Sequence, residues 1–263
     1  MTGGVDFGLT AADYGRHRRG FPAAFFERLA EHGLLADAPR ALDLGSGTGT
    51  IARGLAGRGA RVTALDRSHE LLREAQRLGE LDGVEFVSCV ADAERTGLAA
   101  HSFELICAGQ CWHWFDAPRT CDELRRLLVP GGRVVLAAFD WLPTPGSIAE
   151  ATEALILSHN PSWSMGGGDG RHPEWRHDLE AGGFTITAEH DEVLPVSYSP
   201  ESWRGRIRAS AGVGASLSPA AVERFDAALA RLLDTRFPGD ELDVPHALSF
   251  CIVKYGTASD PPE

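Results

Sequence analysis

Three glycines alternate with small polar residues in the segment LDLGSGTGT, directly after a short apolar run. They are Gly45, Gly47 and Gly49, and Asp43 stands two residues before the first of them. Glycine permits a sharp turn and lets a ligand approach the backbone closely. A nicotinamide dinucleotide loop has the spacing GxGxxG, whose third glycine packs the helix against the strand beside the pyrophosphate. Here Thr50 occupies that third position, so the spacing favours a ligand without a pyrophosphate.

Two acidic residues follow the next two apolar runs. Asp66 ends the run RVTALD, 21 residues beyond Gly45, where a carboxylate can accept hydrogen bonds from both ribose hydroxyls. Asp92 lies in CVADAE, where its carboxylate or the amide of Ala93 can meet the edge of an adenine ring. Together with the glycines, these residues predict an adenosine ligand.

A third candidate is the aromatic run GQCWHWFDAPR, residues 109–119. His113 is the best general-base candidate, because an imidazole titrates near working pH. The alternative, a histidine that only orients the loop through a hydrogen bond, stays open. One of Trp112 and Trp114 is expected to border the ligand, with an aromatic face that could attract a cation, and the other is expected to pack in the core. Asp116 is interpreted as the cap of the next helix rather than as an acid.

Strand and helix patterns alternate through the first half of the chain, which predicts a parallel sheet with right-handed crossovers. Ser68 is the predicted N-cap of the second of these helices. Ligands of such sheets bind at the carboxyl ends of the strands, so the glycine loop, the two acids and the aromatic run should face one site. The five predicted strands lie in RALDLG, RVTALD, VEFVSCV, FELICAG and GRVVLAAF.

The second half differs in composition, and we predict a domain boundary between residues 1–140 and 141–263. Residues 141–175 are rich in Gly, Pro and Trp, which predicts a partly mobile flap. GGFTITAEHDEVLPVSYS and HALSFCIVKYG predict two late strands that form an antiparallel edge pair. The mostly helical stretch between them is expected to fold back as a cap.

Composition excludes several functional classes. The 263 residues carry a formal net charge of −12, which argues against a nucleic-acid partner, because phosphate binding normally requires a basic face. We expect no membrane span, because no run reaches about 18 apolar residues. The N-terminus lacks the apolar core of a secretory signal, so a cytoplasmic protein is expected. A monomer or a homodimer is expected as well. The five cysteines form no CxxC pair or Cys/His cluster, and no metal site is predicted.

The motifs LDLGSGTG, ADAE and LLVPGGRVVL resemble those of the class I S-adenosylmethionine-dependent methyltransferases. YGRHRRGFP, residues 14–22, is similar to a Y-x-x-x-R-P-x-Y-P helix in a small-molecule branch that includes trans-aconitate methyltransferase-like proteins. YSPESWRGRIRAS, residues 198–210, is similar to the cap segment of that branch. Ser46 replaces the usual cysteine and Arg19 the usual proline. The resemblance implies an α/β fold with a doubly wound, mostly parallel seven-stranded Rossmann-like sheet, an antiparallel edge strand and a helical cap.

S-adenosyl-L-methionine is the cofactor that the resemblance implies. Tyr14 and Arg18 lie four residues apart on one face of a predicted helix, which would close over the cofactor. Gln110 would offer backbone contacts to its amino-acid end. The full set of expected cofactor-binding residues is Tyr14, Arg18, Asp43, Gly45, Ser46, Gly47, Gly49, Asp66, Arg67, Asp92, Ala93 and Gln110.

The acceptor is less well specified than the methyl donor. If arginines hold an anionic substrate, a carboxylate can be methylated without a base; if His113 is catalytic, the acceptor is a hydroxyl or an acidic carbon. The expected substrate-binding residues are Trp112, Trp141, Tyr198, Arg204 and Arg208.

Two other classes of function remain open at this point. The first is a protein of the same fold that binds S-adenosylmethionine without transferring the methyl group. The second is a nicotinamide-dependent oxidoreductase, which Thr50 disfavours. A nucleic-acid methyltransferase is disfavoured by the charge and by the lack of a basic appended module.

Overall fold

The computed structural model of the protein describes residues 20–256. The strands are β1 (Arg40–Leu44), β2 (Arg61–Asp66), β3 (Val87–Val90), β4 (Phe103–Gly109), β5 (Leu128–Trp141), β6 (Phe184–Tyr198) and β7 (Leu242–Tyr255). The helices are α1 (Ala23–Glu31), α2 (Thr50–Ala56), α3 (His69–Asp82), α4 (Ala117–Leu127), α5 (Ile148–His159), α6 (Pro173–Ala181), α7 (Pro200–Arg208) and α8 (Pro219–Arg236). All seven predicted strands are confirmed.

The strands form one seven-stranded sheet in the order β3-β2-β1-β4-β5-β7-β6. The pairs β3–β2, β2–β1, β1–β4 and β4–β5 are parallel, and the sheet ends in an antiparallel edge pair. The predicted α/β fold with a mixed, mostly parallel sheet is therefore confirmed. The order changes direction at β1, so the loops after β1 and β4 lie at the switch point, where ligands of such sheets bind.

Local capping fixes where the helices beside this switch point begin. The Ser68 hydroxyl accepts a hydrogen bond from the amide of Leu71 at 3.3 Å, and the Asp116 carboxylate accepts one from the amide of Arg119 at 3.2 Å. Both side chains satisfy an amide that the first helical turn leaves unpaired. The two predicted caps are confirmed.

The described residues divide into two compact units. The first, here the core unit, comprises residues 20–139, 172–191 and 248–256; the second, the cap unit, comprises 140–171 and 192–247. The first boundary falls beside the predicted one at residue 140. Residues 172–191 and 248–256 belong to the core unit, because β6 and β7 are long and each contributes residues to both units. The last two strands were expected to join the same sheet, and the division into 1–140 and 141–263 stays a prediction.

Each unit has its own buried apolar cluster. In the core unit, the cluster joins strand residues such as Leu42, Ile106 and Leu136 to α4 and α6. In the cap unit, Trp203, Phe225 and neighbouring residues pack α5, α7 and α8 together.

The segment predicted to be a flap contains a regular helix, α5. This helix begins at the Ser147 cap and buries Ile148 and Ile156 in the cluster of the cap unit. Within residues 20–256, no helix is long and apolar enough to cross a membrane.

Candidate functional site

The glycine loop is shaped by three positive backbone angles. The φ values of Gly45, Gly47 and Gly49 are 69°, 54° and 73°, a region that residues with a side chain rarely adopt. A Cβ on Gly45 would lie 2.8 Å from the Cys111 sulfur and 2.9 Å from the ring of Phe115. The Cys111 thiol also donates a hydrogen bond to the Leu44 carbonyl at 3.1 Å. The loop after β1 therefore rests directly on the loop after β4.

Gly47, in the middle of this loop, faces open space. A Cβ there would meet no atom of residues 20–256 within 4 Å. The neighbouring Ser46 hydroxyl is buried and has no hydrogen-bond partner among the described residues. Buried polar groups are normally paired, so an open backbone beside an unpaired hydroxyl is what a ligand-binding loop requires.

Asp66 ties the loops after β1 and β2 together. One carboxylate oxygen accepts a hydrogen bond from the Gly47 amide and the other accepts one from the Ser68 amide, both at 2.8 Å. Each carboxylate oxygen has a second acceptor site, so these bonds orient the group and leave it able to accept from a ligand hydroxyl. The residue expected to bind ribose thus lies beside the open backbone of the loop.

Asp43 lies beneath the loop, where it is 1% exposed. Its carboxylate accepts a hydrogen bond from the Ala52 amide at 2.8 Å in the first turn of α2. The pKa of Asp43 is raised to about 7, because the effect of burial outweighs the opposing hydrogen bond from Ala52 and the nearby charge of Asp66 adds a smaller increase. The structure therefore gives Asp43 a supporting contact with α2, which differs from the direct ligand contact implied by the resemblance.

The segment after β3 approaches Asp66 through its backbone. The amide of Ala91 donates to the Asp66 carbonyl at 3.2 Å, which brings Asp92 and Ala93 to the same end of the sheet. Asp92 and Arg67 are exposed, whereas Ala93 is buried. The structure therefore brings the predicted ribose and adenine segments together.

Gln110 opens the loop after β4 with a positive φ of 56°. Its amide donates to the Ala137 carbonyl at 2.8 Å, and its side-chain nitrogen donates to the Phe139 carbonyl at 2.7 Å. Both bonds go to β5. They hold the unusual backbone angle in place, and the expected contact of the Gln110 backbone with a cofactor stays a prediction.

The aromatic run forms one short 3-10 turn, Trp112–Trp114. Trp112 is 1% exposed, belongs to the cluster of the core unit and donates its indole N–H to Asp178 at 3.0 Å. Trp114 is 47% exposed, and its ring centroid lies 4.6 Å from that of the exposed His113. The assignment of Trp112 to substrate binding is therefore corrected, because its indole packs in the core. Of the two tryptophans, Trp114 carries the exposed ring.

The expected substrate arginines of α7 contact carboxylates within the cap unit. The guanidinium groups of Arg204 and Arg208 both bind the Asp226 carboxylate of α8, and both also bind Glu201. Burial tends to raise the pKa of Asp226, but the two arginines hold it below its usual value. These contacts join α7 to α8, and the expectation that the two arginines bind substrate stays a prediction.

Tyr198 and Trp141 differ in their exposure. Tyr198 is 1% exposed, and its hydroxyl lies 3.3 Å from Nε2 of the buried His246. Its burial corrects the expectation that it lines a pocket. Trp141 is half-buried and remains a candidate. Tyr14 and Arg18 lie outside the described residues.

Sequence reasoning missed Arg206 and Glu153, which are 6% and 7% exposed in the cap unit. A signal for Arg206 was present: on α7 it shares the helical spacing of Trp203 and Ile207, which are both fully buried. An arginine on an apolar face is unusual and marks a position with a specific role. No comparable pattern marks Glu153.

Comparison with known proteins gives one consistent result. Residues 42–136 match the family model described as "Methyltransferase domain". An uncharacterized methyltransferase of Mycobacterium tuberculosis is 34% identical over 132 residues, 50% of this chain and 51% of that protein. The chain thus spans about half the length of this mycobacterial relative.

A relative with broader coverage is the ubiquinone biosynthesis O-methyltransferase of Xanthomonas oryzae pv. oryzae. It is 30% identical over 179 residues, which are 65% of this chain and 70% of that protein. A solved structure from Anaeromyxobacter dehalogenans, provisionally assigned as a type II methyltransferase, superposes with a TM-score of 0.62. It covers 90% of this chain and 96% of that one at 23% identity, which shows the shared fold.

Gly45→Ala should destabilise the protein by about 2–4 kcal/mol, because the new methyl group clashes with Cys111 and Phe115 and the backbone angle is unfavourable for alanine. Gly47→Ala has a similar backbone angle but no clash, and should cost only about 1 kcal/mol. Urea unfolding of both variants measures the difference. Equal losses of stability would contradict the close contact at Gly45.

Asp43→Asn should change how stability depends on pH. The folded state holds the Asp43 proton up to about pH 7, whereas the unfolded chain releases it near pH 4, so the stability that this proton contributes is lost as the pH rises between those values. Over that range, the free energy of unfolding of the wild type should fall by about 2–4 kcal/mol relative to the variant.

Urea titrations in steps between pH 4.5 and pH 7.5 measure this effect. Asp240→Asn, at an exposed position, is the matched control and should show no such trend. A constant difference between wild type and Asp43→Asn would refute the elevated pKa.

Proposed function

Because the chain belongs to the class I S-adenosylmethionine-dependent methyltransferase family, we propose that it transfers a methyl group from S-adenosylmethionine to an oxygen atom of a small-molecule acceptor. Membership rests on the matched domain, on the relative that is covered over 70% of its length, and on the fold. The oxygen acceptor is supported by that relative, which is an O-methyltransferase.

The observation that carries the proposal is the glycine loop. At Gly47 the backbone is not covered by any described residue, the Asp66 carboxylate is bonded to the same amide, and the adjacent Ser46 hydroxyl has no partner within residues 20–256. A nicotinamide site would place a third glycine at position 50 for its pyrophosphate, and Thr50 stands there instead. An adenosine ligand without a pyrophosphate fits these residues best.

We assign each residue around the loop one contact with S-adenosylmethionine. Asp66 would accept hydrogen bonds from the ribose hydroxyls, and the backbone of Gly47 would allow the ligand to approach. The segment of Asp92 and Ala93 would border the adenine, and the Gln110 backbone would contact the amino-acid end. When bound, S-adenosylmethionine supplies a methyl group already activated by its sulfonium.

In the proposed reaction, the protein positions the acceptor oxygen and, for hydroxyl acceptors, removes its proton. The acceptor oxygen has to be held about 3–3.5 Å from the methyl carbon and in line with the leaving sulfur. A hydroxyl loses its proton as the new bond forms, and the exposed imidazole of His113 is the side chain proposed to take it. A carboxylate has no proton to lose, so its methylation would not depend on His113.

Binding and turnover can be measured separately with the full chain. Calorimetry with S-adenosylmethionine and with NAD tests the ligand, and formation of S-adenosylhomocysteine in the presence of hydroxyl and carboxylate acceptors tests transfer. Binding of S-adenosylmethionine without product on any acceptor would indicate a binding protein. Affinity for NAD alone would indicate an oxidoreductase.

Gly47→Ala should lower the affinity for S-adenosylmethionine at least tenfold, because its methyl group occupies the space where the ligand meets the backbone. Gly59→Ala is the matched control: Gly59 also has a positive φ, 88°, and a Cβ on it would meet no atom within 4 Å, but it lies in the turn before β2. The control should bind as the wild type does. Equal affinity of both variants would argue against the glycine loop as the cofactor site.

His113→Gln should lower turnover of a hydroxyl acceptor by about 10²–10⁴-fold without changing the affinity for S-adenosylmethionine, because the proton acceptor is lost. His32→Gln, a change of an exposed histidine after α1, should leave turnover unchanged. Unchanged turnover of His113→Gln would eliminate the base and leave this histidine a role in shaping the loop.

A further inference from the structure

Residues 91–102 join β3 to β4 without a helix. Such a connection has no intrahelical hydrogen bonds to fix its shape, so its conformation depends on contacts with neighbouring elements. It carries Asp92 and Ala93, the residues expected to border the adenine of the cofactor. The contacts of the connection therefore determine whether these two residues keep a defined direction.

The connection begins with a closed turn. The Ala91 amide donates to the Asp66 carbonyl, and the Arg95 amide donates to the Asp92 carbonyl, both at 3.2 Å. Ala93, inside the turn, is buried in the apolar cluster of the core unit. The first of these bonds fixes where the turn starts, and a second set of contacts is needed to fix where it ends.

Two carboxylates tie this turn to α4. Glu94, within the turn, accepts a hydrogen bond from the amide of the capping residue Asp116 at 2.9 Å. Glu123, within the helix, accepts two hydrogen bonds from Thr96, one from its amide at 2.9 Å and one from its hydroxyl at 2.6 Å. Both reach the same oxygen, Oε1. Because Thr96 directly follows the turn, Glu123 fixes the end of the turn.

Glu123 is a buried carboxylate that stays charged. It is 9% exposed, and Nε and Nη2 of Arg126 both donate to it at 2.7 Å. The bonds from Arg126 lower the pKa of Glu123 to about 2; burial opposes this shift, and the bonds from Thr96 add to it. A charged carboxylate accepts stronger hydrogen bonds than a neutral group does, so the link to Thr96 is charge-assisted throughout the neutral pH range.

We propose that Glu123 is a positioning residue for the adenine subsite: by fixing the backbone at Thr96, it holds the turn of Asp92 and Ala93 in a shape that selects adenine. The Asp92 carboxylate would accept from the amino group of adenine, and the Ala93 amide would donate to the ring nitrogen beside that group. This inference rests on the proposed function, because it concerns the same cofactor site. All the residues that carry it lie within the core unit.

A matched pair of ligands measures this selectivity without turnover. S-adenosylhomocysteine and S-inosylhomocysteine differ only in the base. Hypoxanthine has an oxygen in place of the amino group and a proton on the neighbouring nitrogen, so it offers Asp92 and Ala93 the opposite hydrogen-bonding pattern. Calorimetry of the full chain with each ligand should show that the wild type binds the adenine ligand more tightly.

Glu123→Gln should lower this preference for adenine about tenfold, because the amide has one accepting oxygen and lacks the charge that strengthens the bonds to Thr96 and Arg126. Asp122→Asn is the matched control on the same helix. Asp122 is exposed and pairs with Arg125, three residues on, as Glu123 pairs with Arg126. The control should keep the wild-type ratio of affinities.

A second pair of variants changes the other side of the same bond. Thr96→Val removes the hydroxyl donor and should give a ratio between those of the wild type and Glu123→Gln. Thr96→Ser keeps the donor and should restore the wild-type ratio. If Glu123→Gln fails to fold, this pair decides, and equal ratios in Thr96→Val and Thr96→Ser would overturn the inference.

The ratio separates positioning from a purely structural role. A wild-type ratio in Glu123→Gln, with or without an equal loss of affinity for both ligands, would overturn the inference and leave Glu123 a role in stability alone. Equal binding of both ligands by the wild type would also overturn it. If the wild type binds neither ligand, the proposed function fails together with the inference, whereas the other outcomes leave the proposed function intact.

Discussion

The contact on which the candidate site depends is the one between Gly45 and the pair Cys111 and Phe115. The loops after β1 and β4 come from adjacent strands, and they can touch only because position 45 has no side chain. In the same loop, the Gly47 amide donates to the Asp66 carboxylate, and this bond orients the acid beside the exposed backbone of Gly47. The close contact between the loops after β1 and β4 thus requires a glycine at position 45.

The same arrangement has a cost in stability. Asp43 and Asp66 are both largely buried next to the loop, and burial together with their mutual repulsion raises the pKa of Asp43. A core chosen for stability alone would not contain two such acids. Their presence is what a binding site requires, since pre-oriented polar groups cost free energy in the unliganded protein and recover it on binding.

Much of the core unit could be predicted from sequence because its signals are local. Apolar runs predicted the strands, and the side chains of Ser68 and Asp116 predicted the N-caps of two helices. The errors arose where long-range packing decides. The local sequence does not indicate which of Trp112 and Trp114 is buried. Trp112 is the buried one, and its indole binds Asp178, which lies far along the chain. Likewise, Asp226 on α8 binds both Arg204 and Arg208 of α7, and no local pattern indicates this pairing between two helices.

The Cys111 side chain next to Gly45 fits the loop only as a reduced thiol. The Cys111 sulfur fills the space that a side chain on Gly45 would need, and its thiol bonds to the Leu44 carbonyl. Oxidation to a sulfenic or sulfinic acid would add oxygen atoms where there is no room even for a methyl group, and would replace the donor that the carbonyl binds. The burial of Cys111, which is 8% exposed, therefore protects the geometry of the loop from oxidation. Opening of the adjacent 3-10 turn would expose the Cys111 sulfur to oxidants.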